Sequence, residues 1–178
     1  MESKNYKVDG AQSSIDWTGK KITGAHNGTI DIAAGTFVVS GHKLRGGDFT
    51  IDVRSIRILD VTDPDTNAQF AGHLLSDDFF SAERFPVANF EIISSTYVED
   101  DKYQIIGNLT IKAITHPVSF LAQVNILDDV VTASGKIIVD RTKYDMKFRS
   151  GNFFANLGDT LIYNEFELDV KLTATISF

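Results

Sequence analysis

The final stretch of the chain restricts the fold more than any other feature. Between 166 and 176, Phe166, Leu168, Val170, Leu172, Ala174 and Ile176 alternate with Glu167, Asp169, Lys171, Thr173 and Thr175. Successive side chains of a strand point to opposite faces, so this run reads as a strand with one buried and one wet face. The same period of two recurs in Phe49-Ile51-Val53, Ala88-Phe90-Ile92, Leu109-Ile111 and Val118-Phe120-Ala122-Val124, each interleaved with polar residues. A parallel βαβ sheet would instead give strands apolar on both faces, separated by helical patterns, and is excluded.

Strands are expected near 5–9, 13–20, 26–34, 36–43, 47–58, 87–98, 103–113, 117–127, 130–139 and 165–177. Gly46-Gly47, Glu99-Asp100-Asp101 and Asp128-Asp129 read as hairpin turns between them. Pro64, Pro86 and Pro117 are expected at element boundaries, where a missing N–H costs least. One segment breaks the rhythm. Asp63-Pro64-Asp65 reads as an N-cap, a first-turn proline and an acid against the helix dipole. Phe70 with Leu74 and Ala71 with Leu75 then share a face, which places a helix at about 64–75, followed by a tight turn through Phe79-Phe80-Ser81 to Pro86. With no repeat or linker, residues 1–178 are read as one domain.

A long up-and-down sheet has two exposed edges, and closure into a barrel removes them. An all-β, extended antiparallel barrel of about eight strands or more, with one short helix near an end, is therefore expected. Its lumen could be filled by side chains or hold one small ligand. The small inward residues Gly107, Ala122, Ala133, Gly135 and Ala174 favour a cavity.

Chemistry-bearing motifs are sparse. Seventeen basic against twenty-four acidic residues give a net charge of −7, which repels phosphate backbones and anionic membrane surfaces. The absence of cysteine removes disulfides, thiolate catalysis and cysteine–zinc sites. The histidines, His26, His42, His73 and His116, have no metal-ligand spacing, so neither metal nor cofactor is expected. There is no G-x-S-x-G elbow, and Gly19–Gly24 lacks the Lys-Ser/Thr of a phosphate loop. Met1–Tyr6 lacks an apolar signal core, so the chain as given is expected to be cytoplasmic, or periplasmic if a signal has been removed.

Two segments stand out. Trp17 to Gly28 packs an aromatic, lysines, a histidine and glycines into one strand–turn–strand passage. It is either a bulged hairpin with Trp17 in the core, or a barrel mouth where Lys21 or His26 meets a ligand's polar head. Asp140 and Arg141 are read as a structural pair closing the barrel end.

These motifs carry a resemblance: W-T-G-K-K-I-T-G-A-H-N-G at 17–28, H-L-L-S-D-D-F-F at 73–80, F-P-V-A-N-F-E at 85–91, G-N-L-T-I-K-A-I-T-H-P-V at 107–118 and D-R-T-K-Y at 140–144. Their order and spread resemble the YceI-like family of lipocalin-like, lipid-binding proteins. The resemblance implies an extended barrel with an apolar tunnel, polyisoprenoid or other long-chain amphiphilic ligands, and no established catalytic set. Ala113 departs from the family's usual glycine, which is harmless unless the backbone there needs a positive φ.

The expected function is therefore binding, sequestration or transport of a long-chain ligand, without catalysis. The expected inward, ligand-facing residues are Trp17, Phe49, Ile51, Val53, Phe90, Ile92, Leu109, Ile111, Phe120, Val124, Ile137, Leu168 and Val170. Lys21 and His26 are the expected head-group contacts. The alternatives are an enzyme acting on a lipid-like substrate through His26, Lys21 or Asp140, and a structural protein with a filled barrel. Ile93, Tyr97, Ile106, Leu121 and Ile138 break the alternation on outer faces. A register pairing Tyr97 with Gln104 gathers Ile93, Tyr97, Ile106 and Leu121 into one contiguous patch, and thus a homodimer surface. In the rival arrangement the 64–86 segment covers that patch.

Overall fold

A computed structural model describes residues 2–151, 157 and 161–177. The strands are β1 (Ser3–Val8), β2 (Ser14–Lys21), β3 (Gly24–Ser40), β4 (Lys43–Ile58), β5 (Val87–Tyr97), β6 (Lys102–Ile111), β7 (Ile114–Ile126), β8 (Val130–Asp140) and β9 (Ile162–Ser177). One helix, α1 (Pro64–Leu75), separates β4 from β5. Both β1 and β2 pair with β3 and with β9, end to end, so the two short strands form one stave of a closed, eight-staved antiparallel barrel. Closure gives every stave a hydrogen-bonded neighbour on both sides, although residues 114–121 of β7 have no partner toward β8.

The expected strands at 26–34 and 36–43 are one continuous strand, β3. The reversal after it lies at Gly41-His42, both at positive φ, and not at Gly46-Gly47, which sits inside β4. Gly47 serves close approach instead: a Cβ there would stand 2.9 Å from the Phe49 ring. The expected turns at 99–101 and 128–129 lie between β5 and β6 and between β7 and β8. Pro117 is inside β7, not at its boundary, opposite Asn108 of β6. It is tolerated because β8 pairs with β7 only from Ala122 onward, so no ladder partner faces that part of the strand.

The outer face departs from the expected patch. A β-bulge between Ile92 and Ser94 shifts the register, so Tyr97 pairs with Tyr103 and Ile106 with Ser94. The extra residue reverses parity. Tyr97 therefore packs edge-on against the inward Tyr103, under the Lys43 ammonium, and does not join Ile93, Ile106 and Leu121 outside. Ile138 pairs with Glu167 on the far side of β8. Phe70, Leu74 and Phe79 lie over the barrel mouth rather than over this surface.

One barrel end is plugged. Tyr6, Val39, Leu44, Tyr103, Val124, Val131 and Ala174 are all buried there. The Tyr6 hydroxyl donates to the Asp128 carbonyl at 2.9 Å, tying β1 to the β7–β8 turn. The other end is roofed by α1. Its N-cap Asp63 accepts from the Thr66 hydroxyl at 2.6 Å and the Thr66 N–H at 2.9 Å, and these two bonds hold the Asp63 carboxyl below its ordinary value.

At the roofed end β6 turns into β7 through Lys112-Ala113, with φ of 54° and 61°. This is the left-handed geometry that glycine tolerates and alanine resists, so the departure at Ala113 has a conformational cost. Ala113→Gly is expected to raise stability by about 1 kcal/mol, read as a shift of the urea midpoint at constant slope.

Candidate functional site

Among the described residues two adjoining cavities lie along the barrel, and the sequence pattern explains both. Toward the plug, Phe37, Phe49, Phe90 and Phe120 fill much of the lumen, with ring centroids 5.0, 6.3 and 5.7 Å apart in succession. Beside them remains an inner cavity of about 140 Å³. Its space comes from Ala122 and Gly135, paired across β7 and β8, and from Ala133 nearby. The other small inward residues leave no room. Gly107 lies under Phe90, whose ring would be 2.3 Å from an added Cβ, and Ala174 belongs to the plug.

The second cavity, about 560 Å³, opens at the mouth between α1, the β2–β3 hairpin, the segment after β8 and the start of β9. The two spaces share Ile30, Phe80, Phe166 and Leu168. Phe80 and Phe166 meet edge to face at 6.4 Å, forming an aromatic collar between mouth and inner lumen.

Of the residues expected to face a ligand, Phe49, Ile51, Val53, Phe90, Ile92, Leu109, Ile111, Phe120, Ile137, Leu168 and Val170 line the inner cavity. Trp17 lines the mouth. Val124 lines neither, because its strand has already reached the plug where it projects inward. Lys21 and His26 both line the mouth, but His26 is engaged: its Nδ1 is 2.7 Å from the Asp60 carboxylate, and its ring packs edge-on against Phe70. Bonds from His26 and the Asn27 N–H hold the Asp60 carboxyl below its ordinary value, outweighing its desolvation. Asp140 does not join Lys21 and His26. Its carboxylate accepts from the Thr142 N–H and hydroxyl and so caps a short 3-10 turn at Arg141–Tyr144.

Arg141 also differs from expectation. It makes no ion pair with Asp140; its guanidinium donates to the carbonyls of Met146, Ile162 and Tyr163. It is only 4% exposed and lines the mouth cavity. Burial pulls its pKa down to about 10, against a smaller opposing effect from Asp140, so it keeps its charge at neutral pH. Sequence reasoning missed this role because the acceptors are backbone carbonyls of distant segments.

The YceI-like domain model matches residues 6–174. The chain belongs to the YceI-like family. It is similar to a UPF0312 protein of Pseudomonas putida, 25% identical over 123 residues, covering 67% of this chain and 62% of that relative's length. Among solved structures it is similar to BcnA of Burkholderia cenocepacia, with 22% identity, 94% and 99% coverage of the two chains and a TM-score of 0.76. It is also similar to a polyisoprenoid binding domain from Saccharophagus degradans, with 13% identity, 97% and 98% coverage and a TM-score of 0.67. At these identities the structural likeness establishes the shared barrel fold.

The W-T-G…H-N-G motif of this YceI-like chain then has a physical account. Lys21 pairs with Gly24 across a tight hairpin, and Trp17 lies opposite Gly28. The indole N–H donates to the carbonyls of Thr29 at 3.3 Å and Arg57 at 3.2 Å. The ring lies over the bare Cα of Gly28, where an added Cβ would be 2.6 Å from it. Trp17 is thus both core and mouth wall, so the two readings of the segment are not exclusive.

Proposed function

We propose that this protein binds one long-chain apolar molecule, with its tail directed through the Phe80–Phe166 collar and its polar end at the mouth. The observation that carries the reading is the adjoining pair of cavities, the inner one walled almost entirely by hydrocarbon side chains. Burial of a tail there contributes about 0.8 kcal/mol per methylene, less the entropy of ordering the chain. A water-sized group takes about 30 Å³, and a methylene is of similar size. The mouth cavity then accommodates roughly nineteen such groups and the inner cavity roughly four or five. That capacity suits a fatty-acyl chain or a short polyprenyl chain. The description of the Saccharophagus relative as a polyisoprenoid binding domain supports a ligand of this kind. Binding without turnover is favoured over catalysis, because the Asp140 carboxylate is spent on a cap away from Lys21 and His26.

The test is a titration with primary alcohols of increasing length, followed by the fluorescence of Trp17, the chain's one tryptophan, which lines the mouth. Affinity is expected to rise with length and then level off when the inner cavity is full. Gly135→Leu fills that cavity from a position where a Cβ meets only ordinary contacts, 3.4 Å and beyond. In this variant the plateau should come about four methylenes earlier, with at least ten-fold weaker binding of the longest alcohols. Unchanged affinity in a folded Gly135→Leu protein would remove the lumen as the site.

A further inference from the structure

The barrel wall is parted along one seam. Toward the mouth, the last pair between β7 and β8 is Ala122 with Gly135. Beyond it, residues 114–121 of β7 pair only with β6, and residues 136–140 of β8 only with β9. At the rim the two sides are tied again. His116 Nε2 donates to the Lys143 carbonyl at 2.9 Å, and the His116 ring packs edge-on against the buried Tyr144. Between those ties lies a stretch of β7 roughly 20 Å long, at ~3.3 Å per residue. The inner lips of the seam belong to the inner cavity: Val118 and Phe120 on β7, Gly135 and Ile137 on β8 all line it. The outer lips carry exposed hydrocarbon, with Leu121 49% exposed on β7 and Ile138 55% exposed on β8. Apolar side chains therefore stand on both faces of the wall where it is parted, a continuity that scattered surface residues do not give.

The free edge of β7 is ill suited to taking up another strand. The Val124 N–H donates to the Asp101 carbonyl on the β6 side at 2.8 Å. By alternation, the odd-numbered residues of β7 turn their backbone groups toward the seam. Pro117 is one of these, so the middle of the free edge lacks a donor. An added peptide would leave that position unbonded, whereas a hydrocarbon chain needs no donor. The cavities, of about 560 and 140 Å³, together hold roughly two dozen methylene-sized groups. Resting on the tail-binding reading, we infer that a chain longer than this leaves the lumen sideways through the seam. It passes between Phe120 and Ile137 and lies on the outer face against Leu121 and Ile138. The seam is a second subsite, for the far end of a long polyprenyl or alkyl chain. The protein thereby retains chains longer than its lumen.

The chain has no cysteine, so single introduced cysteines report on their own positions. Ile138→Cys sits on the outer lip of the seam, Ile22→Cys at the tip of the β2–β3 hairpin, and Ile93→Cys on the outer face of β5; all three native side chains are exposed. Their alkylation by a water-soluble maleimide is timed in the free protein and with two alcohols whose binding is followed by Trp17 fluorescence. Geranylgeraniol fits the cavities, and hexaprenol exceeds them by about six carbons. Relative to geranylgeraniol, hexaprenol is expected to slow Ile138→Cys about five-fold or more, by covering the thiol, and to leave Ile93→Cys unchanged. Ile138→Asp should weaken hexaprenol several-fold and leave geranylgeraniol unaffected. Geranylgeraniol that binds while hexaprenol does not would mean that the lumen ends blind, which overturns the seam and leaves the tail site standing. Bound hexaprenol that spares Ile138→Cys overturns it in the same way, as does protection of Ile22→Cys instead, with the excess chain leaving by the mouth. Equal slowing at Ile93→Cys would be general coating by the lipid and also overturns it. If neither alcohol binds, the tail site itself fails.

Discussion

Gly28→Ala is expected to destabilise the barrel by about 3 kcal/mol or more, because the added methyl has nowhere to go. Its Cβ would lie 1.7 Å from the Arg57 carbonyl oxygen and 2.6 Å from the Trp17 ring. Backbone on one side and a buried indole on the other prevent a local adjustment. To admit the methyl, β3 must part from β4 where Gly28 pairs with Ile58, or Trp17 must leave its two carbonyl acceptors. Either route exposes the cluster of Ile15, Trp17, Ile30 and Ile58 beneath α1. At about 2–4 °C per kcal/mol for a chain of this size, the midpoint should fall by roughly 10 °C in a calorimetric scan. Gly19→Ala is the control from the same hairpin, since a Cβ there has nothing within 4 Å. It should stay within about 0.5 kcal/mol of wild type. Equal stabilities for the two variants would mean that the indole does not depend on the bare Cα of Gly28.

Arg141→Met should cost about 3 kcal/mol for a different reason. The substitution keeps an apolar stem of similar reach but leaves the carbonyls of Met146, Ile162 and Tyr163 without their donor. Hydrogen bonds from a charged group contribute about 1.5–3 kcal/mol each, offset in part by no longer burying a cation. Those carbonyls join the segment after β8 to the start of β9, so the mouth should loosen before the plugged end does. Hydrogen exchange reads this directly. Amides of Met146 and Ile162, which donate to Arg141 and Arg149 carbonyls at 3.3 and 2.9 Å, should lose protection. Amides around Tyr103 and Val131 should keep theirs. Uniform loss across the barrel would show that Arg141 supports the whole fold rather than the mouth.

Alternation alone specified the barrel, because a side chain's face in a strand depends only on position parity, which the sequence displays. It also placed most of the cavity wall: Phe49, Ile51, Phe90 and Leu168 could be identified as inward without coordinates. Helix α1 was equally legible, since Asp63, Pro64 and the Phe70–Leu74 pairing act locally. Parity failed where the backbone inserts a residue. The bulge at Ile93 moved Tyr97 to the inner face, and no residue type announces a bulge unambiguously.

Glycines were ambiguous for a related reason. Gly46-Gly47 looked like a turn and Gly107 like free space, yet Gly47 and Gly107 accommodate the rings of Phe49 and Phe90. A missing side chain serves reversal, packing or a cavity, and which one depends on what lies opposite. The mouth was the least legible part. Arg141 is held by carbonyls from residues 146, 162 and 163, and backbone acceptors leave no trace in side-chain identity. The sequence by itself therefore determined the closed sheet, its apolar lumen and its helical roof, through periodicity and local capping. Tertiary structure alone decided which small residues opened a cavity, which end was plugged, and that a buried cation faces the mouth. Those outcomes depend on packing and backbone hydrogen bonds between residues far apart in the chain.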